Sequence, residues 1–215
     1  AVAKTYYAEK AGIDPAKMVV VSIMPCTAKK FEANRPEMNA SGYKDVDYVL
    51  TTRELARMFR QGGIDLASLP EEEFDNPLGI GTGAGTIFGT TGGVMEAALR
   101  TAAAWLEPDK PMPRIEFEEV RGVPGQVREA TLEIDGLRLN VAIANSLAAA
   151  GWVMEQITSG AKQYHFVEIM GCPGGCIGGG GQPIPAKGPQ ALDEVRLARI
   201  ASLYTIDERM TLRRS

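Results

Sequence analysis

The sequence predicts an α/β fold of mixed, largely parallel sheets flanked by helices, in two lobes around a cleft. Runs of β-branched residues alternate with helical patterns through most of the 215 residues, the mark of a layered α/β chain. One segment, VREATLEIDGLRLNVAIA, reads as a hairpin and adds an antiparallel pair to sheets otherwise linked through helices. The cysteine-bearing loops follow the carboxyl ends of strands, the preferred ligand position in open α/β sheets.

Each element has its own justification. AVAKTYYAEKAG reads as a helix stopped by Gly12. MVVVSIM (residues 18–24) is a continuous apolar run, as expected of a strand covered on both faces, and it ends abruptly at Pro25-Cys26. A second strand over residues 46–50 runs into TTRELARMFRQGG. There Thr51 and Glu54 form a capping box, Leu55, Met58 and Phe59 give one apolar stripe, and Gly62-Gly63 stop the helix. After an acidic loop (residues 70–77), GIGTGAGTIFGTTGG (residues 79–93) is a glycine-rich loop. It leads into VMEAALRTAAAWL, a helix apolar nearly all round and therefore buried. In the hairpin, Ala130, Leu132 and Ile134 alternate before Asp135-Gly136 turns the chain, and Leu137, Leu139, Val141 and Ile143 alternate after it. Ser146 starts a helix with Leu147, Gly151, Met154 and Ile157 along one side. Residues 163–170 form a strand and residues 191–204 the last helix, with no internal repeat and no linker that divides the chain.

Composition narrows the function classes. A net charge of −4 and the absence of any Lys/Arg-dense run argue against nucleic acid as a partner. The longest strongly apolar run is residues 18–24, far too short to cross a bilayer. The three cysteines are an odd and sparse set, so a reducing compartment is favoured over a disulfide framework. The cytoplasm comes first and the periplasm second. The lack of a visible signal peptide carries no weight, because the chain starts at Ala1 rather than Met.

The chemistry concentrates in MGCPGGCIGGGGQP (residues 170–183) and in PCTAKKFE (residues 25–32). Cys26 and the pair Cys172/Cys176 each follow a strand, and adjacent parallel strands would bring the two loops together. Three thiolates at one point suit a soft metal, either zinc or an iron–sulfur centre. Structural zinc prefers four ligands in close pairs, whereas here the only imidazole is His165, read as a structural residue. An iron–sulfur centre explains the glycines as well, since Gly174, Gly175 and residues 178–181 let backbone N–H groups approach an anionic cluster. Lys29, three residues after Cys26, stands on the same side of a starting helical turn, and Glu32 serves to pair with and orient its neighbours. Lys30 is read as a solvated surface charge. Met24 and Met170 occupy equivalent places before the cysteine turns, as core filler or as the soft lining of a pocket. The loop 79–93 has no nucleotide fingerprint, but it opens a helix N-terminus that favours an anion. Phe88 within it either covers a cofactor or pins the loop to the core.

Three signatures coincide: MPCTAKKFE (residues 24–32), GTGAGTIFGTTGGVMEAALR (residues 81–100) and VEIMGCPGGCIGGGGQP (residues 167–183). Together they resemble the catalytic domain of iron-only, or [FeFe], hydrogenases, from Ala1 nearly to the end. The resemblance implies an H-cluster in a buried cofactor cleft: a [4Fe–4S] cubane bridged by a cysteine sulfur to a 2Fe unit carrying CO, CN and azadithiolate. Carried over to this sequence, Cys26 and Cys172 ligate the cubane and Cys176 bridges it to the two-iron unit. Lys29 hydrogen-bonds a cyanide, so that Lys29 and Cys176 are the catalytic positions. Met24, Pro25, Glu32, Phe88, Gly89, Met170 and Gln182 line the cofactor. The implied reaction is reversible, two protons and two electrons giving dihydrogen, with a ferredoxin-type protein or a flavin subunit as electron donor.

The sequence departs from the family pattern in one respect. The first cysteine signature, which supplies the fourth cubane ligand and the proton-passing thiol, does not occur within residues 1–215. The chain therefore reads as the C-terminal part of a hydrogenase domain, incomplete as an enzyme on its own, whose partner is the remaining N-terminal part of that domain. The rival readings are a hydrogenase-like iron–sulfur protein acting in cluster assembly, a non-turnover hydrogen sensor and, last, a zinc-stabilised module. Met24 and the intact glycine loop favour the enzyme.

Overall fold

The computed structural model describes residues 1–110, 116–117, 120–121, 127–188 and 191–214. The chain divides into two compact units, Ala1–Ile80 with Gly180–Pro183, and Gly81–Gly179 with Ile184–Ser215.

In the first unit, helix α1 (Tyr6–Ala11) stops at Gly12, which takes the left-handed conformation that a side chain would disfavour. Strand β1 (Val21–Met24) pairs in parallel with β2 (Tyr48–Thr51), Met24 opposite Thr51. The strand expected over residues 18–24 is thus shorter, and the backbone ahead of it is engaged elsewhere. Val20 donates to the Asp47 carboxylate at 2.7 Å, and its carbonyl accepts from the backbone N–H groups of Asp47 and Tyr48. Nor is β1 covered on both faces, since Val21 and Ile23 are about half exposed. Asp47 is held in turn by Lys4, whose buried ammonium lies 2.8 Å from its carboxylate and donates to the Lys44 carbonyl at 2.7 Å.

Helix α2 (Ala28–Glu32) follows β1, and α3 (Thr52–Gln61) follows β2. The capping box is present: the Thr51 hydroxyl accepts from the Glu54 N–H at 3.2 Å, and the Glu54 carboxylate accepts from the Thr51 N–H at 2.8 Å. Lys30 is not the solvated charge expected. Its ammonium bonds the Val49 carbonyl and the Glu54 carboxylate, both at 2.9 Å. With Thr51, it holds the Glu54 carboxyl down to about 2. Thr51→Ala is expected to cost about 1–2 kcal/mol through the lost cap, measured as a lower midpoint in denaturant unfolding at unchanged slope.

The second unit begins with α4 (Gly83–Ile87) and α5 (Gly93–Leu106). The glycine-rich loop therefore contains a short helix, which the Thr82 hydroxyl caps by accepting from the Gly85 N–H at 3.1 Å. Strands β3 (Val127–Ile134) and β4 (Leu137–Ala144) form the expected antiparallel hairpin about Asp135-Gly136, both in positive φ. Helix α6 (Leu147–Thr158) leads to β5 (Phe166–Ile169), parallel to β4, and α7 (Leu192–Arg209) ends the fold. The sheet order is β3-β4-β5.

Residues 141–144 of β4 are buried on both sides, which accounts for the unbroken apolar stretch VAIA. Val141 and Ile143 join Met95, Leu99, Leu132 and Ile134 in one cluster, while Ala142 and Ala144 join Val153 of α6 in another.

Two helices differ from expectation. Helix α5 is buried but not apolar all round, for Glu96 and Arg100 are wholly enclosed. Arg100 donates two bonds to Asp207 at 2.7 and 2.9 Å and one to Glu96 at 2.9 Å. Glu96 also accepts from Arg121 at 2.8 and 2.9 Å and from Tyr204 at 2.8 Å. The stripe Leu147, Gly151, Met154 and Ile157 of α6 faces outward. The small residues Ala149 and Ala150, with Val153, make the packed side, because they let the helix lie close to Ala142 and Ala144.

Candidate metal centre

The predicted site residues fall into two groups, one in each unit. Strands β1 and β5, which precede the cysteine loops, belong to different sheets rather than being neighbours in one.

In the first unit, Pro25 and Cys26 occupy the turn between β1 and α2. The Pro25 carbonyl accepts from the Gly181 N–H at 2.8 Å, and the Gly181 carbonyl accepts from the Arg53 N–H at 3.2 Å. The Arg53 guanidinium donates to Gly180 O at 2.8 Å. Gln182 follows directly and is half-buried. Beside this turn lies a cavity of about 150 Å³ lined by Ser22, Met24, Lys29, Glu32, Met38 and Val49, among others. Three predicted lining residues thus share one pocket, and Glu32 pairs with Lys29 as expected, at 2.7 Å.

In the second unit, Met170 directly follows β5 and donates its N–H to the Ala144 carbonyl at 2.8 Å. Cys172 and Cys176 then occupy one tight turn. Gly175 N–H bonds Cys172 O at 3.0 Å, Gly178 N–H bonds Gly175 O at 3.0 Å, and Gly179 N–H bonds Cys176 O at 2.9 Å. The glycine loop flanks it, with Thr91 N–H bonded to Gly174 O at 3.1 Å and Ile177 N–H bonded to Gly89 O at 3.0 Å. Gly89 therefore touches the cysteine turn through its backbone. Phe88 next to it is 46% exposed.

The anion expected at the α5 N-terminus is one the chain supplies. Glu168 accepts from the N–H groups of Gly92 at 2.6 Å and Met95 at 2.7 Å. Burial raises its pKa above the usual range, against the lowering effect of those same N–H donors. Sequence reasoning missed this carboxylate. The available signal was a lone acidic residue inside the otherwise uncharged strand FVEI. His165 has the structural role assigned to it, its Nδ1 accepting from the Asn140 N–H at 2.9 Å.

The donor set fits an iron–sulfur group. No disulfide joins the three thiols; Cys26 and Cys172 are half-buried and Cys176 is exposed, unlike cysteines that merely fill a core. A Cβ at Gly175 would lie 2.6 Å from Thr91 N and 2.7 Å from Thr90 C, so the turn beside these thiols is built as close-packed bare backbone. Among the described residues, no three His, Cys, Asp or Glu side chains group closely enough to hold a metal ion.

The family model for the C-terminal domain of the iron-only hydrogenase large subunit matches residues 1–180. The chain belongs to this family. It is 46% identical over 215 residues to the NADP-reducing hydrogenase subunit HndD of Solidesulfovibrio fructosivorans, covering all of this chain and 36% of that protein. A solved [FeFe]-hydrogenase, studied for oxygen-driven modification and degradation of its H-cluster 2Fe subcluster, superposes with a TM-score of 0.73. It is 44% identical, over 99% of this chain and 58% of its own. At 34% identity, the cytosolic Fe-S cluster assembly factor narfl of Xenopus tropicalis also matches, over 94% of this chain and 42% of its own length. The chain thus spans between about a third and three-fifths of these hydrogenases. No helix among the described residues is long and apolar enough to cross a membrane.

Proposed function

We propose that the chain is the C-terminal part of an iron-only hydrogenase domain that interconverts protons, electrons and dihydrogen at an H-cluster. The observation that carries this reading is the Cys172/Cys176 turn, tied by hydrogen bonds to the loop Gly89–Thr91 of the family's glycine signature. In this reading Cys26, Cys172 and Cys176 ligate the cubane, and Cys176 also bridges to the two-iron unit. When bound, that unit supplies an open iron position and a basic amine for proton transfer. Lys29, oriented by Glu32, offers ammonium hydrogens toward a cyanide. Met24, Met170 and Phe88 shield the group from water, while Pro25, Gly89 and Gln182 contribute backbone and amide contacts.

Three cysteines are one short of a cubane's set, so the fourth ligand comes from the remaining part of the domain. The apolar faces at Val21, Ile23, Leu147 and Met154 are about half to three-quarters exposed, and they suit such a neighbour. Electrons arrive from a ferredoxin-type protein or a flavin subunit, in the cytoplasm. The assembly-factor reading has support from the narfl match at 34% identity. The higher identity to HndD favours the hydrogenase.

Anaerobic purification with iron analysis and EPR tests the proposal. Cys26→Ser, Cys172→Ser and Cys176→Ser are each expected to lose most of the bound iron, and full retention in any of them sinks the ligand assignment. Lys29→Ala is expected to lose the infrared carbonyl and cyanide bands while keeping the cubane EPR signal. Unchanged bands would remove Lys29 from the site.

A further inference from the structure

Helix α7 brings two arginines against the cysteine turn. Arg199 donates from Nη1 to the Ile177 carbonyl at 2.8 Å, directly after Cys176. The stem of Arg196 runs along the same turn. A Cβ at Gly174 would sit 3.3 Å from its Cδ, and a Cβ at Gly178 would sit 3.5 Å from its Nε. Those two glycines bracket Cys176. The Arg196 side chain is 17% exposed and pairs at one end with Asp193 at 2.7 Å, yet its buried Nε has no hydrogen-bond partner. Burial, and then the positive field of Arg196, lower the pKa of Arg199. Two guanidinium groups thus face one short segment of backbone around Cys176, Arg199 through its bond to Ile177 O and Arg196 through its stem and Nε.

We propose that Arg196 and Arg199 are positioning residues that brace this turn and raise the reduction potential of the iron–sulfur centre ligated by Cys172 and Cys176. The inference rests on the proposed function above. The step concerned is the gain of one electron by the oxidised centre, with no bond made or broken and no proton bound. A cubane with its thiolates is anionic and becomes more so on reduction. Fixed positive charge beside it stabilises the reduced form more than the oxidised one. Guanidinium keeps that charge at every working pH.

The test is an EPR-monitored redox titration of the native protein, with dithionite as reductant, alongside Arg199→Gln, Arg199→Lys and Arg196→Gln. Each glutamine variant is expected to lower the equilibrium constant for reduction about tenfold, or about 59 mV for a one-electron couple. Arg199→Lys, which keeps the charge, should recover most of the difference. Unshifted potentials in both glutamine variants overturn the proposal, as does Arg199→Lys falling as far as Arg199→Gln. If circular dichroism shows Arg199→Gln unfolded, Arg196→Gln decides alone. A native protein without an iron–sulfur signal, or full iron content in Cys172→Ser, overturns the proposed function and this inference with it. A normal native signal with unshifted variants overturns only the inference.

Discussion

Gly175→Ala is expected to destabilise the protein by about 2–6 kcal/mol and to abolish iron binding. Two costs add. At φ +91° a residue with a Cβ is strained by about 1–3 kcal/mol. The new methyl would also sit 2.6 Å from Thr91 N, 2.7 Å from Thr90 C and 2.9 Å from Gly89 O. All three are backbone atoms, so no side-chain rotation relieves the clash, and overpacking of this kind costs about 1–3 kcal/mol more. Relief requires the Gly89–Thr91 loop to move off the turn, which breaks the bonds from Thr91 to Gly174 and from Ile177 to Gly89. Denaturant unfolding and iron content measure the two effects. Gly151→Ala is the control: nothing lies within 4 Å of its Cβ position on α6, and replacing glycine within a helix should stabilise by about 0.5–1 kcal/mol. A cost below about 1 kcal/mol for Gly175→Ala would show that the turn and the loop are not locked together.

What the sequence disclosed and what it concealed divide along the range of the interactions. The hairpin, the capping box and the Lys29–Glu32 pair depend on residues at most a few positions apart, so dipeptide chemistry and helical spacing were enough to find them. The placement of the cysteines after strands was legible because β-branched runs end visibly at Pro25 and before Gly171. Helix α4 was not legible, since GAGTI has poor helix propensity and gains its stability from packing against α7. The outward stripe of α6 shows a related limit. A period of 3.6 identifies an apolar face but not which face turns inward, and here the close approach of Ala142 and Ala144 selected the small side. Glu168 caps a helix that starts 75 residues upstream of it, and no local pattern announces such a partner.

The buried charges carry the second large effect. Asp207 is wholly enclosed and accepts from Arg100 twice, at 2.7 and 2.9 Å, and from Arg213 at 2.7 Å. Asp207→Asn removes the negative charge but leaves two guanidinium groups in place, Arg100 among them with no exposure at all. Arg100 keeps Glu96 at 2.9 Å as a counter-ion, so the cost is that of weakened charge-assisted bonds, about 1.5–3 kcal/mol. Replacing both partners, as in Arg100→Met with Asp207→Leu, should cost less, because Glu96 keeps Arg121, Arg213 keeps Glu116 and no guanidinium then faces a lost partner. That difference separates the penalty of a half-paired ion from the worth of the pair. Acid unfolding supplies an independent check with a definite sign. Burial alone would raise the Asp207 pKa, but the bonds from Arg100 and Arg213 outweigh it and hold the carboxyl below its ordinary value. A carboxylate depressed in the folded state stabilises fully above the unfolded value, about 3.9, and that contribution is lost as pH falls through the folded value. The native protein should therefore weaken steadily on acidification below about pH 4. Asp207→Asn should start less stable at neutral pH and show a flatter acid limb. If the two limbs run parallel, the Arg100–Asp207 pair contributes nothing to acid stability.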